Sequence, residues 1–234
     1  MEDLTELIKT VKAYDWDQSG APLLAIDAEI RKLLGHPDHL AKLEEALLGA
    51  LQSNASLAAK RGVCKRLGLI ASERSVPTLA AMLVDTETSD MARYSLEQIP
   101  SGAVETALRQ ALAKTKGLTR VGIVNSIGNR NDSRAAAALG QLLDDTDQAA
   151  AEAAAWALGR IGGPEAVRLL AARKGAAPNP LRAEILDAYL VCAGRLASEG
   201  NKAQAQAMYK ELNAEGMPRP IRRAAELGLK AAES

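Results

Sequence analysis

A spacing of about thirty residues between equivalent apolar positions constrains this chain more than any other feature. Five apolar anchor residues are separated by 29, 31, 31 and 31 positions: Leu67, Leu96, Ile127, Leu158 and Tyr189. A second set keeps intervals of 29, 31 and 31: Leu79, Leu108, Leu139 and Leu170. Two sets in one register indicate a repeat of two helices. Because each pair is too small to bury its apolar face alone, the pattern predicts a helical solenoid.

The clearest copy of the repeat runs from residue 153 to residue 170. Ala154, Leu158 and Ile161 fall on one face of a predicted helix. Gly162 can adopt the left-handed conformation that ends a helix, and Pro164 suits the first turn of the next one. The sequence therefore predicts an all-α fold of about 14 helices in six or seven pairs.

Residues 157–167 read Ala-Leu-Gly-Arg-Ile-Gly-Gly-Pro-Glu-Ala-Val. This wording resembles the short HEAT-like repeats of bacterial proteins, the class named after phycobilisome lyases, and the resemblance is clear over residues 55–175. It implies a right-handed α-α superhelix with its second helices on the concave side. Because adaptors, lyases and hydroxylases share these repeats, the resemblance implies a fold far more than an activity.

We expect one HEAT-like repeat domain over residues 1–234. Residues 1–37 would form N-terminal capping helices, with Trp16 covering the open end, and residues 38–175 the regular repeats. Residues 176–234 would form degenerate C-terminal repeats with Leu229 as the last anchor. The tail at 202–232 also fits a tetratricopeptide-type helical pair. Helix N-caps are expected at Ser53 or Asn54, at Ser75 and Ser133, at Asp85 or Thr88, and at Asp145 or Asp147.

Composition argues against several activities. Twenty-nine basic residues balance 29 acidic ones, whereas nucleic-acid binders usually carry a basic excess. Phe is absent and other aromatics are few, so a glycosylase groove or an aromatic cofactor platform is not expected. His36 and His39 lack the further ligands that zinc needs, and no His-Glu dipeptide supports an iron hydroxylase. We expect no catalytic residue, metal or cofactor, and we expect Cys64 and Cys192 to be buried free thiols.

Binding is the remaining hypothesis. Positions two residues before and two after each anchor share one helix face beside the core stripe, and the resemblance turns that face toward the concavity. Eight candidate partner-binding residues lie at these positions: Lys65, Tyr94, Gln98, Asn125, Asn129, Trp156, Arg160 and Asp187. Tyr, Trp and Arg are enriched in binding hot spots, although both rings could instead pack between repeats. Arg93 points partly toward the core and could reach Glu97.

The sequence thus favours a non-enzymatic scaffold or adaptor that binds another protein on the concave face. The alternatives are an enzyme or enzyme subunit of the lyase or DNA glycosylase type, and a nucleic-acid-binding scaffold. We expect a monomer without membrane insertion. A cytoplasmic location follows if Met1 is the native start, and a periplasmic or secreted one if a signal peptide has been removed.

Overall fold

The computed structural model describes residues 2–233, and the side chains of residues 4–232. Within these residues it contains no strand and fourteen α-helices: α1 (Glu2–Ala13), α2 (Ala21–Leu33), α3 (Pro37–Leu51), α4 (Leu57–Ile70), α5 (Val76–Met82), α6 (Ser89–Leu96), α7 (Gly102–Leu112), α8 (Gly117–Asn129), α9 (Ala136–Leu142), α10 (Gln148–Ile161), α11 (Gly163–Arg173), α12 (Leu181–Ser198), α13 (Lys202–Leu212) and α14 (Arg219–Glu233). Short 3₁₀ turns at Glu73–Ser75 and Ser133–Ala135 precede α5 and α9. The predicted all-α class and helix number are confirmed.

The helices form two compact units, Met1–Ile123 and Val124–Ser234, and the boundary falls inside α8. In the first unit, α4 packs on α2 and α6, while α3 packs on α1 and α5 on α7. In the second unit, α12 packs on α10 and α14, and α9 packs on α11. Packing between alternate helices is the pattern of stacked pairs in two layers. The single-domain interpretation stays a prediction.

The predicted anchors form the core of each unit. Eight of them are fully buried and Tyr189 nearly so, which confirms the repeat register: Leu67, Leu79, Leu96, Leu108, Ile127, Leu139, Leu158, Leu170 and Tyr189. We call the helices that carry Leu67, Leu96, Ile127, Leu158 and Tyr189 the anchor helices; they are α4, α6, α8, α10 and α12. Gly162 ends α10 with a φ of 64°, as predicted. Asn131, 31 residues earlier, has a φ of 53°, so the repeat keeps its left-handed position.

Several helix starts differ from the prediction. The Ser56 hydroxyl, and not Ser53 or Asn54, caps α4 by accepting a 3.0 Å hydrogen bond from the Ala59 N–H. Asp132 takes the place expected for Ser133 and accepts from the Arg134 N–H at 3.2 Å. The Asp147 cap is confirmed, because its carboxylate accepts from the Ala150 N–H at 3.3 Å.

Ser75 lies at the start of α5 but does not cap it with its side chain. Its hydroxyl is buried and donates a hydrogen bond to a carboxylate on another helix. Glu44 of α3 is almost fully buried. Its Oε1 accepts from the Ser72 N–H at 2.7 Å, the Ser72 hydroxyl at 2.9 Å and the Ser75 hydroxyl at 2.6 Å. This carboxylate therefore connects α3 by hydrogen bonds to the turn that precedes α5.

Near each end of the chain, one residue differs from its predicted role, Trp16 as a cover of the open end and Leu229 as an anchor. Trp16 does not cover the stack, because it is 64% exposed and lies 5.9 Å from the Arg61 guanidinium carbon. Leu229 is only half-buried, and α14 buries Ile221 and Ala225 instead. Within the described residues, none of the helices is long and apolar enough to cross a membrane.

Candidate protein-interaction face

The structure exposes most of the side chains that the sequence assigned to binding. Seven of the eight candidates are exposed and Asn125 is half-buried. Three of them lie in the first unit: Lys65 is on α4, Tyr94 is on α6, and Gln98 is in the turn that follows α6. Five lie in the second unit, on α8, α10 and α12: Asn125, Asn129, Trp156, Arg160 and Asp187. Their role in binding stays a prediction, and each unit is described separately below.

In the first unit, Tyr94 lies against the backbone of the preceding anchor helix. A methyl group added at Gly68 would lie 3.0 Å from Cε1 of Tyr94 and 3.7 Å from Cγ of Gln98. Gly68 thus leaves room for the ring, which remains 50% exposed. Leu69, the next residue of α4, is 68% exposed. This patch combines an aromatic ring and an aliphatic side chain that water can reach.

A cleft of about 360 Å³ opens beside this patch. It brings together two sequence-predicted residues, Lys65 and Tyr94, with four others: Arg61, Cys64, Asp90 and Met91. The cleft therefore offers two cations, one carboxylate, an aromatic ring and a thioether to a ligand. Asp90 also forms an ion pair with Arg93.

Sequence reasoning missed Arg61 and Asp90, although a signal for them exists. Each lies six residues before its anchor, Leu67 and Leu96 respectively. Positions six before, two before and two after an anchor are four apart, so they lie along one stripe of a helix. Extending the predicted face by one helical turn would have included both charged residues.

In the second unit, Trp156 repeats the arrangement of Tyr94. A methyl group added at Gly128 would lie 2.7 Å from Cζ3 of Trp156 and 3.0 Å from the Ala157 Cα. The indole is 38% exposed, and the Arg160 guanidinium carbon lies 5.7 Å from its ring centroid. A cation at this distance from an indole is attracted by the negative face of the ring.

The two rings occupy the same repeat position and rest on glycines at the same repeat position. Tyr94 and Trp156 each lie two residues before the anchor of their own repeat. Gly68 and Gly128 each lie one residue after the anchor of the repeat before it, Leu67 and Ile127 respectively. Each ring is therefore packed against one helix and exposed to solvent as well. The two predicted alternatives, packing between repeats and availability for binding, are not exclusive.

Arg93 reaches neighbouring carboxylates, as its position suggested. It pairs with Asp90, and its Nη1 lies 3.9 Å from Oε1 of Glu97. Its guanidinium also lies against Gly122, where an added methyl group would approach the guanidinium carbon to 2.7 Å. Arg93 thus contacts both α6 and the middle of α8, at Gly122, within the first unit.

Both cysteines are free and buried, as predicted. Burial raises the pKa of the Cys64 thiol from 9.0 to about 12, and that of Cys192 to about 11. His36 and His39 lie at the start of α3 with ring centroids 6.0 Å apart. Over residues 4–232 the structure brings together no group of three potential metal ligands among His, Cys, Asp and Glu.

Comparison with known sequence families finds a match to HEAT repeats over residues 105–189. Residues 105–189 are therefore similar to HEAT repeats. The matched residues include the anchors Leu108, Ile127, Leu139, Leu158, Leu170 and Tyr189. The all-α, HEAT-like solenoid class predicted from the sequence is therefore confirmed, whereas the phycobilisome-lyase type stays a prediction. No curated protein matches this chain.

Solved structures support the HEAT-like fold and nothing finer. A crystal structure of an engineered protein has a TM-score of 0.54 at 18% identity, covering 99% of this chain and 68% of that one. Another engineered protein has a TM-score of 0.50 at 18% identity, covering 81% of this chain and 96% of its own. Human deoxyhypusine hydroxylase in complex with glycerol also matches at 18% identity, covering 99% and 96%. Its TM-score is 0.40.

Proposed function

We propose that this protein is a non-enzymatic interaction scaffold that binds a partner protein through its anchor helices. The proposed contacts are two equivalent patches, one in each compact unit. The first centres on Tyr94 with Lys65 and Gln98. The second centres on Trp156 and Arg160. Sequence and resemblance assign both patches to the concave side of the solenoid.

The observation that carries the proposal is the repeated half-exposure of a large ring on a glycine. An aromatic side chain with only two side-chain torsions loses little conformational entropy when it becomes buried in an interface. Because Gly68 and Gly128 let the rings lie against a helix, their positions are partly fixed before binding. Tyr and Trp near cationic side chains are the residue types that dominate protein-binding energetics.

The thiols offer no support for a nucleophilic enzyme. The thiolate is the reactive form of cysteine, and both thiols have a raised pKa because they are buried. At neutral pH, both thiols are therefore in the protonated, less reactive form. The HEAT-like fold itself is typical of protein-binding scaffolds.

The proposal can be tested by photocrosslinking in a lysate of the source organism. A photoreactive phenylalanine analogue is placed at residue 94 or residue 156. Matched control variants carry it at Thr106 of α7 or Arg168 of α11, which are exposed on non-anchor helices. We expect adducts with one defined protein from positions 94 and 156, and little adduct from the controls.

Two results would contradict the scaffold proposal. Crosslinking yields at positions 106 and 168 that equal those at positions 94 and 156 would show that the adducts are not specific to the anchor helices. Adducts that disappear after nuclease treatment would favour the nucleic-acid alternative, whose binding should also weaken steeply with salt.

A further inference from the structure

A second surface lies away from the anchor helices, in a groove between α1 and α3. The groove has a volume of about 640 Å³ and a lining that is mostly carbon. α1 contributes Leu4, Thr5, Ile8, Lys9 and Lys12, and α3 contributes Lys42, Ala46 and Gly49. Because α1 and α3 pack on each other, the groove runs over the junction of two helices of the first unit.

Three lysines give this groove a single sign of charge. Lys9, Lys12 and Lys42 are exposed, and none of the described residues that line the groove is acidic. The Lys9 ammonium lies 3.4 Å from the Glu6 carboxylate, an exposed pair of small energetic value. Lysine stems can cover apolar surface while their ammonium groups stay in water, so the groove has an apolar floor and a basic edge.

The floor is shallow on the α3 side because its residues are small. Lys42, Ala46 and Gly49 follow one another at intervals of four and three, so they share one face of α3. A methyl group added at Gly49 would have nothing within 4 Å. Open space above Ala46 and Gly49 allows the backbone of another helix to come close.

We propose that this groove binds an amphipathic helix of a partner protein, with the helix's apolar stripe on the floor and its acidic residues beside the lysines. Charge complementarity decides the class of partner, because an apolar lining with only cations favours a segment that presents carboxylates next to leucine-type side chains. The groove lies on the layer of α1 and α3, so this contact is separate from the anchor-helix patches.

The test uses the full chain and a fluorescent synthetic helix of about 18 residues, long enough to span roughly five turns. The probe has a leucine stripe flanked by glutamates, and a matched peptide has lysine in place of every glutamate. Fluorescence anisotropy at low and moderate salt reports binding. We expect the acidic peptide to bind more tightly than the basic one, with an affinity that falls as salt rises.

Three variants locate the binding. Lys12→Glu with Lys42→Glu should weaken binding by about tenfold or more, because like charges then face each other. Gly49→Trp fills the open space and should weaken binding to a similar extent. The control, Lys202→Glu with Lys210→Glu, changes two exposed lysines of α13 and should leave the affinity unchanged. Circular dichroism melts verify that each variant is folded.

Several outcomes would overturn the proposal. These are no binding of the acidic peptide, equal binding of the basic peptide, or full affinity in both groove variants. Binding to phosphatidylserine vesicles that is lost in the groove variants, without peptide binding, would assign the groove to a membrane surface. A concentration-dependent dimer that Gly49→Trp abolishes would assign it to a second copy of this chain.

Discussion

Glu44 shows how a single buried residue can hold a helix junction. Its carboxylate accepts hydrogen bonds from Ser72 and Ser75 at the turn before α5. In Glu44→Gln a neutral amide oxygen replaces the charged carboxylate oxygen, so these hydrogen bonds lose the strength that the negative charge gives them. We expect the free energy of unfolding to fall by about 1–3 kcal/mol.

Chemical denaturation of Glu44→Gln against Glu45→Gln measures this effect. Glu45 is the exposed neighbour on α3, so its variant makes the same chemical change without the buried hydrogen bonds. Equal denaturation midpoints for the two variants would show that the Glu44 contacts do not stabilise the fold.

The buried thiols make stability depend on alkaline pH. The folded-state pKa is about 12 for Cys64, above the ordinary value of 9.0. As pH rises, the thiol of the unfolded chain loses its proton before the thiol of the folded chain does. The free energy of unfolding is therefore unaffected by this thiol below about pH 9 and falls as pH rises toward 12. Each pH unit in that window lowers the stability by at most about 1.4 kcal/mol per thiol.

The measurement compares unfolding free energies of the parent chain and Cys64→Ala from pH 8 to about pH 10.5. The parent should lose stability more steeply with pH, because only it carries this thiol.

In native protein at pH 8, both cysteines should alkylate slowly, and they should react fully on unfolding. Parallel pH curves, or rapid native alkylation, would contradict the burial of Cys64.

At the scale of elements, the anchor helices hold the core. Leu158 of α10 is fully buried, whereas Leu227 of α14 is 60% exposed. We expect Leu158→Ala to cost about 2–5 kcal/mol through lost burial and the cavity left behind. Leu227→Ala should cost less than about 1 kcal/mol, because that side chain already meets water. Similar thermal midpoints for the two variants would mean that the repeat register is wrong.

The sequence could predict the helices because the spacing of apolar residues follows the core. Leu67 and Leu158 are buried because neighbouring helices cover them, and an equivalent buried residue recurs in each repeat. The cap of α4 was missed because the preference for serine does not decide which of Ser53 and Ser56 lies where the helix begins. The prediction of Leu229 as the last anchor was wrong because it lies 40 residues after Tyr189, which does not match the spacing of the repeat.

The candidate site was predictable in position and less so in detail. Helical periodicity placed Tyr94 and Trp156 on an exposed face, since that geometry is local. The packing of each ring on Gly68 or Gly128 depends on how close neighbouring helices come, which no local pattern gives. The groove between α1 and α3 was missed for the same reason, because its residues come from two helices.

At the scale of the whole molecule, a repeat should be removable without loss of the fold. Deleting residues 140–170 removes 31 positions and joins Leu139 to Ala171, so Leu139 takes the place of Leu170. In a solenoid, stability is roughly a sum over units and their interfaces. We expect a helical protein with one cooperative transition at a lower temperature.

A deletion of residues 142–170 is the control. It removes 29 positions, and the two extra residues turn the apolar stripe of the fused helix by about 200°. This variant should be far less stable than the in-register deletion. Equal stability of the two deletions would show that the 31-residue register does not organise this part of the chain.

We propose that exposed rings on the anchor helices bind a partner protein. Trp156→Ala tests it most directly, with a binding isotherm against the crosslinked partner and a thermal melt on the same sample. The control is Trp16→Ala, which removes another exposed indole that also lies near an arginine. We predict that Trp156→Ala weakens binding by about thirtyfold or more, while its melting temperature falls less than that of Leu158→Ala. Full affinity in Trp156→Ala, or an equal loss of affinity in Trp16→Ala, would show that the Trp156 ring does not bind the partner.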